Sequence, residues 1–234
     1  MIRHVTYTDK NMTTSALHCA ESATKHGCDT SCIYTEKQLS ETFRARNASI
    51  LSEPRGAGYW IWKPQIILQE MEKCKEGDYI LYTDAGVQII GDVRQLVSSV
   101  EDGMLLFGGQ YNNHEWTKGD VLRLIPEGIY KQLQASAMIF ECTTKVVNFL
   151  HLWVMMCETP GLIDDSPSIS KNHPDFVEHR HDQAILTALQ ILYQIKSHWW
   201  PATYNNGKFN YPKNEHTDSY PVIFHHHRKR NNEW

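Results

Sequence analysis

Asp84 stands just past a short apolar run, Tyr79 to Tyr82, with only Thr83, Ala85 and Gly86 as close neighbours. A carboxylate beyond a buried strand lies where α/β proteins place ligands, and small neighbours let a bulky group approach it. Ordinary turn chemistry yields the same Asp-Ala-Gly. Three further groupings could share its work. The stretch RGAGYWIWK joins glycines, which permit close backbone approach, to two cations, Arg55 and Lys63, and three flat rings, Tyr59, Trp60 and Trp62. That composition suits a phosphorylated sugar or a nucleotide; equally, such rings can anchor a loop to the core. Asp182 opens an expected helix in EHRHDQAIL, where capping alone would explain it. Near the C-terminus an apolar strand runs into His225, His226 and His227 and then Arg228, Lys229 and Arg230. Such a run is either a solvated basic tail or a source of one imidazole for a metal and cations for a pyrophosphate.

The elements that must position these groups read as an α/β chain. Strand-like runs (IRHVTY, SCIYT, YILYT, MLLFGG, SAMIFEC) alternate with amphipathic segments, the pattern of a sheet flanked by helices. The first helix starts at Thr13 or Thr14 and stops at Gly27, and Pro64 sits in the first turn of a second one ending at Gly77. A polar helix carries Leu39 and Phe43, VRQLVSSV forms a short helix, and TKVVNFLHLWVMMC and DQAILTALQILYQI form two longer ones. Residues 159–178 form a long polar connection, a length that in compact domains marks a functional lid or a disordered segment.

A chain of 234 residues is most simply one domain, 1–234. The net charge of −4 provides no overall field for nucleic acid, so any bound anion must be met by local groups. No apolar run approaches bilayer-spanning length and no secretory signal opens the chain, so a cytoplasmic protein without a membrane span is expected.

In this order and spacing, GYWIWKP, GDYILYTDAG, HDQAIL and HHRKRNNEW resemble the GT-A-fold nucleotide-sugar glycosyltransferases, in particular the domains with which large chlorella-type viruses build capsid glycans. The likeness covers nearly the whole chain. It implies a single GT-A (Rossmann-like) domain, a UDP-sugar donor carrying a hexose or deoxyhexose such as rhamnose, and an oligosaccharide or glycoprotein acceptor. It also implies Mn2+ or Mg2+, held where the family carries Asp-x-Asp. The first Asp of that motif aligns with Asp84, while Gly86 replaces the second, so the ligand set becomes Asp84 with a C-terminal histidine, His226 or His227. Strand alternation prevents both histidines from reaching one ion. By the same resemblance Thr6, Tyr7, Thr8 and Asp9 meet the uridine, and Arg55, Tyr59, Trp60, Lys63, Ala85, Arg228 and Lys229 line the donor site. Asp182 touches the sugar hydroxyls and Gln183 lies beneath the anomeric carbon, as in retaining galactosyltransferases. EWTKGD, Glu115 to Asp120, is expected at sugar or acceptor.

Two other classes remain open at this level. HRHD resembles part of the ligand set of metal-dependent hydrolases, although no histidine follows Asp182. A non-catalytic carbohydrate-binding module would use Tyr59, Trp60 and Trp62 as stacking platforms.

Overall fold

A computed structural model of the chain describes residues 1–204, 209–210 and 220–234. The chain runs β1 (Ile2–Tyr7), α1 (Thr13–Lys25), β2 (Thr30–Tyr34), α2 (Glu41–Arg46), α3 (Ala48–Leu51), α4 (Gly56–Tyr59) and α5 (Trp62–Met71). It continues through β3 (Tyr79–Thr83), β4 (Val87–Ile89), α6 (Arg94–Val97), β5 (Met104–Asn112), α7 (Gly119–Leu122), β6 (Lys131–Glu141) and α8 (Thr144–Glu158). Last come α9 (His181–Leu192), β7 (Ser197–His198), β8 (Ala202–Tyr204), β9 (Phe209–Asn210) and β10 (Phe224–His226). The main sheet has the order β2-β1-β3-β6-β5-β7; β1 pairs parallel with both β2 and β3, and β6 runs antiparallel between β3 and β5. This is the mostly parallel α/β sheet expected. The chain goes from β1 to β2 on one side and to β3 on the other, so the C-terminal ends of β1 and β3 flank a switch point, where α/β sheets open a crevice.

Alternation divides the core between the two faces of the sheet. Val5, Tyr7, Ile80, Tyr82, Leu106, Met138 and Phe140 point to the face covered by α5, α8 and α9. Their neighbours Leu81, Leu105, Phe107, Ala137 and Ile139 point to the other, packed against α1 and a second sheet of order β4-β10-β8-β9. Helix α8 starts where the Thr143 side chain accepts a hydrogen bond from the Val146 amide, and it buries Val146, Phe149, Leu150, Trp153, Val154 and Cys157 along one stripe. From that stripe the Trp153 indole donates to the Asp182 carbonyl at 3.3 Å, fixing the first turn of α9.

Several boundaries differ from the sequence reading. Helix α5 ends at Met71 rather than Gly77, and β6 begins at Lys131, ahead of the expected SAMIFEC. The Leu39/Phe43 segment divides into a 3-10 turn, Glu36–Gln38, and α2. No helix among the described residues is long and apolar enough to cross a membrane.

The 159–178 connection is a strap tied down along its length. Buried Lys118 bonds the Asp164 and Ser166 carbonyls and pairs with the Asp164 carboxylate at 3.2 Å, while Asp120 accepts from the amides of Ile169 and Ser170. Lys118 and Asp120 of EWTKGD are therefore committed to holding the strap instead of a sugar. Gly119 between them donates to Asn172, and a Cβ there would stand 2.5 Å from the Ser170 carbonyl oxygen and 2.6 Å from that of Lys171. Both obstacles are backbone, so Gly119→Ala should cost about 1–3 kcal/mol through overpacking. Urea unfolding should show a lowered midpoint and hydrogen exchange a loosened strap; an unchanged midpoint would mean the strap yields freely.

Candidate functional site

A cleft of about 680 Å³ opens at the C-terminal ends of β1 and β3. Its walls take Tyr7 and Asp9 from the end of β1, Asn11 and Met12 beyond it, Arg55 to Ala57, Trp60, Trp62 and Lys63 around the start of α5, and Asp84 to Gly86 after β3. Ala135 and Ser136 of β6, Arg180 to Gln183 at the start of α9, and His226, Arg228 and Arg230 complete it. Seven non-glycine residues in the described chain have left-handed φ, and four of them, Ala57, Trp60, His181 and Arg228, line this cleft. Such strained backbone gathers where a constellation must be held against local preference.

Lys63 lies at the centre. Its ammonium is 2.7 Å from Asp182 Oδ2 and 3.4 Å from Asp84 Oδ1, and it donates to the Ala135 carbonyl at 3.0 Å. Lys63 is buried, so dehydration favours its neutral form, but the two carboxylates outweigh this and raise its pKa. Burial likewise pushes Asp84 up, yet Lys63, the Tyr82 hydroxyl donating at 2.6 Å and His226 outweigh it and hold the carboxyl below its usual range. At Asp182 burial wins: against the pull of Lys63, and with Asp84 adding repulsion, its pKa rises to about 6.

Gly86 accounts for the missing second carboxylate. Its carbonyl accepts from the amides of His227 and Arg228, and a Cβ at this position would stand 3.0 Å from Arg228 Cα. The C-terminal segment thus packs where an Asp at 86 would project, and it brings His226 beside Asp84. His226 is buried, and burial first, then Arg228, lowers its pKa to about 3; its Nδ1 has no hydrogen-bond partner among the described residues. Its Nε2 accepts from Arg228 Nε at 3.4 Å, so this neutral imidazole has one lone pair near an ionised carboxylate, a donor set suited to a borderline divalent cation that displaces the Arg228 contact.

The other expected residues fall into two groups. Tyr7, Asp9, Arg55, Trp60, Lys63, Asp84, Ala85, Asp182, Gln183, His226 and Arg228 converge on the cleft. Thr6, Thr8, Tyr59, His227 and Lys229 are not among its lining residues. Thr6 and Thr8 are buried, Tyr59 stacks on His181 at 4.9 Å, Lys229 sits over the Trp234 ring at 4.6 Å, and His227 packs edge-on to Trp234. Within the first group, Arg55 is already paired with Asp165 and Glu178 of the strap, and Lys63 with its two aspartates. Arg228 and Arg230 make no ion pair among the described residues and are the cations best placed for an incoming anion.

Ser136 escaped the sequence reading of the site, and Trp62, His181 and Arg230, though inside the groupings it singled out, were not assigned to the donor site. Trp62 stacks on Tyr7 at 3.8 Å with 13° between planes, its indole bonded to the Gly56 carbonyl. Its place two residues after Trp60 in the same aromatic stretch was the available signal. His181 Nδ1 donates to the Ile163 carbonyl at 2.7 Å, leaving a buried Nε2 that has no hydrogen bond and lies 3.7 Å from Asp165 Oδ1. His179 Nε2 is spent on the Leu162 carbonyl at 2.8 Å. Both HRHD histidines therefore turn to the strap, and no hydrolase-type ligand set forms around Asp182 among the described residues.

Solved structures with the same fold are glycosyltransferases. Mouse xyloside xylosyltransferase 1 in its apo form shares 10% identity over 100% of this chain and 98% of its own, with a TM-score of 0.52. The galactosyltransferase LgtC, in complex with donor and acceptor sugar analogs, shares 14% over 97% of this chain and 87% of its own, with a TM-score of 0.56. A glycosyltransferase involved in glycosylation of the major capsid of PBCV-1 is more distant at 0.46, too low to carry an argument. No family model and no curated protein matches the sequence. At these identities the likeness establishes the GT-A fold and leaves the activity to the site.

Replacing Lys63 by Met would strand two carboxylates, one of them buried, and should destabilise the protein by about 3–5 kcal/mol at neutral pH. Asp182, already raised to about 6 against the pull of Lys63, rises further when that pull is removed, so the folded variant takes up a proton as pH falls and the unpaired carboxylate is relieved. The loss in Lys63→Met should therefore shrink in denaturation experiments moved from about pH 7.5 to about pH 5. An equal loss at both would show that the ionised Asp182 does not need the ammonium.

Proposed function

We propose that the protein transfers a hexose or deoxyhexose from a UDP-sugar to a glycan acceptor, with retention of anomeric configuration. The observation that carries this reading is the convergence on one cleft of Asp84 with His226, of Arg228 and Arg230, which make no ion pair among the described residues, and of Asp182 with Gln183. Cleaving a sugar–phosphate bond builds positive charge on the ring and negative charge on the departing diphosphate, so the site must serve both ends. Uridine fits the Tyr7 and Trp62 side, with Asp9 and Asn11 beside it. Asp84 and His226 would hold Mn2+ or Mg2+, which supplies charge neutralisation to the diphosphate when bound. Arg228 and Arg230 take the remaining phosphate charge; Lys63 and Arg55 are engaged elsewhere and act on the donor only by positioning their carboxylate partners.

The sugar lies against Asp182 and Gln183. An amide carbonyl cannot donate, so the Gln183 Nε2 bond to the Leu133 carbonyl at 2.5 Å fixes the side chain and leaves Oε1 as its free end. That dipole steadies positive charge on an anomeric carbon but accepts no proton. Asp182 is oriented by Lys63, which keeps it an electrostatic partner of the ring; the acceptor hydroxyl attacks the anomeric carbon from the face the diphosphate leaves, the sugar–phosphate bond breaks, and the hydroxyl proton passes to the departing diphosphate oxygen. The far rim, with Trp60 and Arg180, suits the hydroxyls of an acceptor. The UDP moiety, the choice of donor sugar and a setting in viral capsid glycosylation rest on the motif resemblance.

Incubating the protein with UDP- and GDP-sugars, Mn2+ and oligosaccharide acceptors, and reading the product by NMR, tests the proposal. A linkage of the donor's own configuration is expected; an inverted one would recast Asp182 as a general base. Activity should also fall as pH drops through about 6, where Asp182 gains its proton; His226, already neutral above about 3, cannot produce that limb. In Asp182→Asn the rate should drop on the order of 100-fold or more and the limb should vanish. A limb that persists in this variant would assign the titration to another group.

A further inference from the structure

Away from the cleft, one nitrogen each of His114 and His173 and one oxygen of Asp175 lie within 4.8 Å of one another. The two rings are 4.1 Å apart, and Asp175 Oδ2 is 4.0 Å from His114 Nε2 and 3.7 Å from His173 Nδ1. From this geometry we propose a second metal site, of the zinc class, that clamps the strap to the body of the domain.

The chemistry and the placement both favour it. Two imidazole nitrogens and one carboxylate oxygen, with a fourth position open to water, form a common zinc ligand set. Bond lengths of about 2.0–2.2 Å place ligand atoms roughly 3.3 Å apart in a tetrahedron, so the three groups need to close by about an ångström. Asp175 is exposed and free to make that movement, while His114 is more enclosed and fixed by its 3-10 turn. The backbone sets the site in advance. Val177 donates to the Glu115 carbonyl at 2.8 Å and Arg180 to that of Trp116 at 3.0 Å, so the end of the strap runs alongside the segment bearing His114. Metal binding would displace one local bond, from the Asp175 amide to His173 Nδ1 at 3.2 Å.

The consequence reaches the cleft through the strap itself. Three residues past Asp175, Glu178 pairs with Arg55 and Arg180, both of which line the cleft. An ion on His114, His173 and Asp175 therefore steadies the strap anchors of that wall, independently of any metal at Asp84 and His226.

Zinc titration with a competing chromophoric chelator tests the site, in a His226→Ala background so that the proposed Asp84–His226 metal site in the cleft is removed. One zinc equivalent should bind, with affinity at least about tenfold weaker when His114→Ala or His173→Ala is added, and more modestly weaker for Asp175→Asn. Co2+ should produce the visible bands of a low-coordinate site in the protein with native His114, His173 and Asp175. Trypsin cutting after exposed Lys171 should slow on zinc addition only where these three residues are intact. Affinity unchanged across the three variants overturns the site, and cutting unaffected by zinc overturns the clamp. No sugar nucleotide is involved, so these outcomes are separate from those of the transferase reading.

Discussion

The site depends on one buried ammonium group. Lys63 bridges Asp84, which follows β3, and Asp182, in the first turn of α9, and its third bond reaches β6. Dehydrating a cation and a carboxylate costs several kcal/mol each, so such a bridge survives only where surrounding packing leaves no alternative. Here the packing is explicit: α5 lies against the sheet, and the Trp153 indole holds the Asp182 carbonyl. The bridge divides the cleft electrostatically. Asp84, partly exposed and held below its usual pKa, remains charged throughout the neutral range, whereas the buried Asp182 is poised near 6. One lysine thus sets two carboxylates to different charge states, which in the proposed reaction suit the first to a cation and diphosphate and the second to a sugar ring.

The C-terminal segment supplies what the end of β3 lacks. It reaches the cleft by adding β10 antiparallel to β4, with His226 opposite Val87, and by bonding to the Gly86 carbonyl. Beyond Arg230, Asn231 accepts from the Thr14 amide and Trp234 stacks on His18, so the segment is fastened to α1. The Gly86 carbonyl and the lack of a side chain at that position are both needed for this approach, and the same packing that excludes a second aspartate delivers the histidine.

Much of this was legible in the sequence. Strands β1, β3, β5 and β6 announce themselves by apolar runs that fill both faces of the sheet, and α8 and α9 by their buried stripes. The small sheet was not legible beyond its C-terminal strand: β4 and β8 have three residues each and are defined by pairing with β10 across long separations, which local pattern does not encode. Lys63 and Arg55 read as anion ligands because a cation among glycines and aromatics has that chemistry. Their carboxylate partners, Asp182, Asp165 and Glu178, lie far along the chain and become neighbours only through the fold. Likewise the polar 159–178 segment reads as a lid, and only the burial of Lys118 and the closeness of Gly119 to the strap backbone show that it is tied down. The choice of His226 over His227 turns on strand orientation, which the run of three histidines leaves open.

In the proposed reaction Asp84 and His226 make the diphosphate end of a nucleotide-sugar site. Isothermal titration of UDP with and without Mn2+, on the native protein and on Asp84→Asn, measures this most directly. The native protein should bind UDP at least about tenfold more tightly with Mn2+, and Asp84→Asn should lose that dependence while retaining its fold. Affinity for UDP that is indifferent to Mn2+ in the native protein, or a Mn2+ effect that survives in Asp84→Asn, would contradict it.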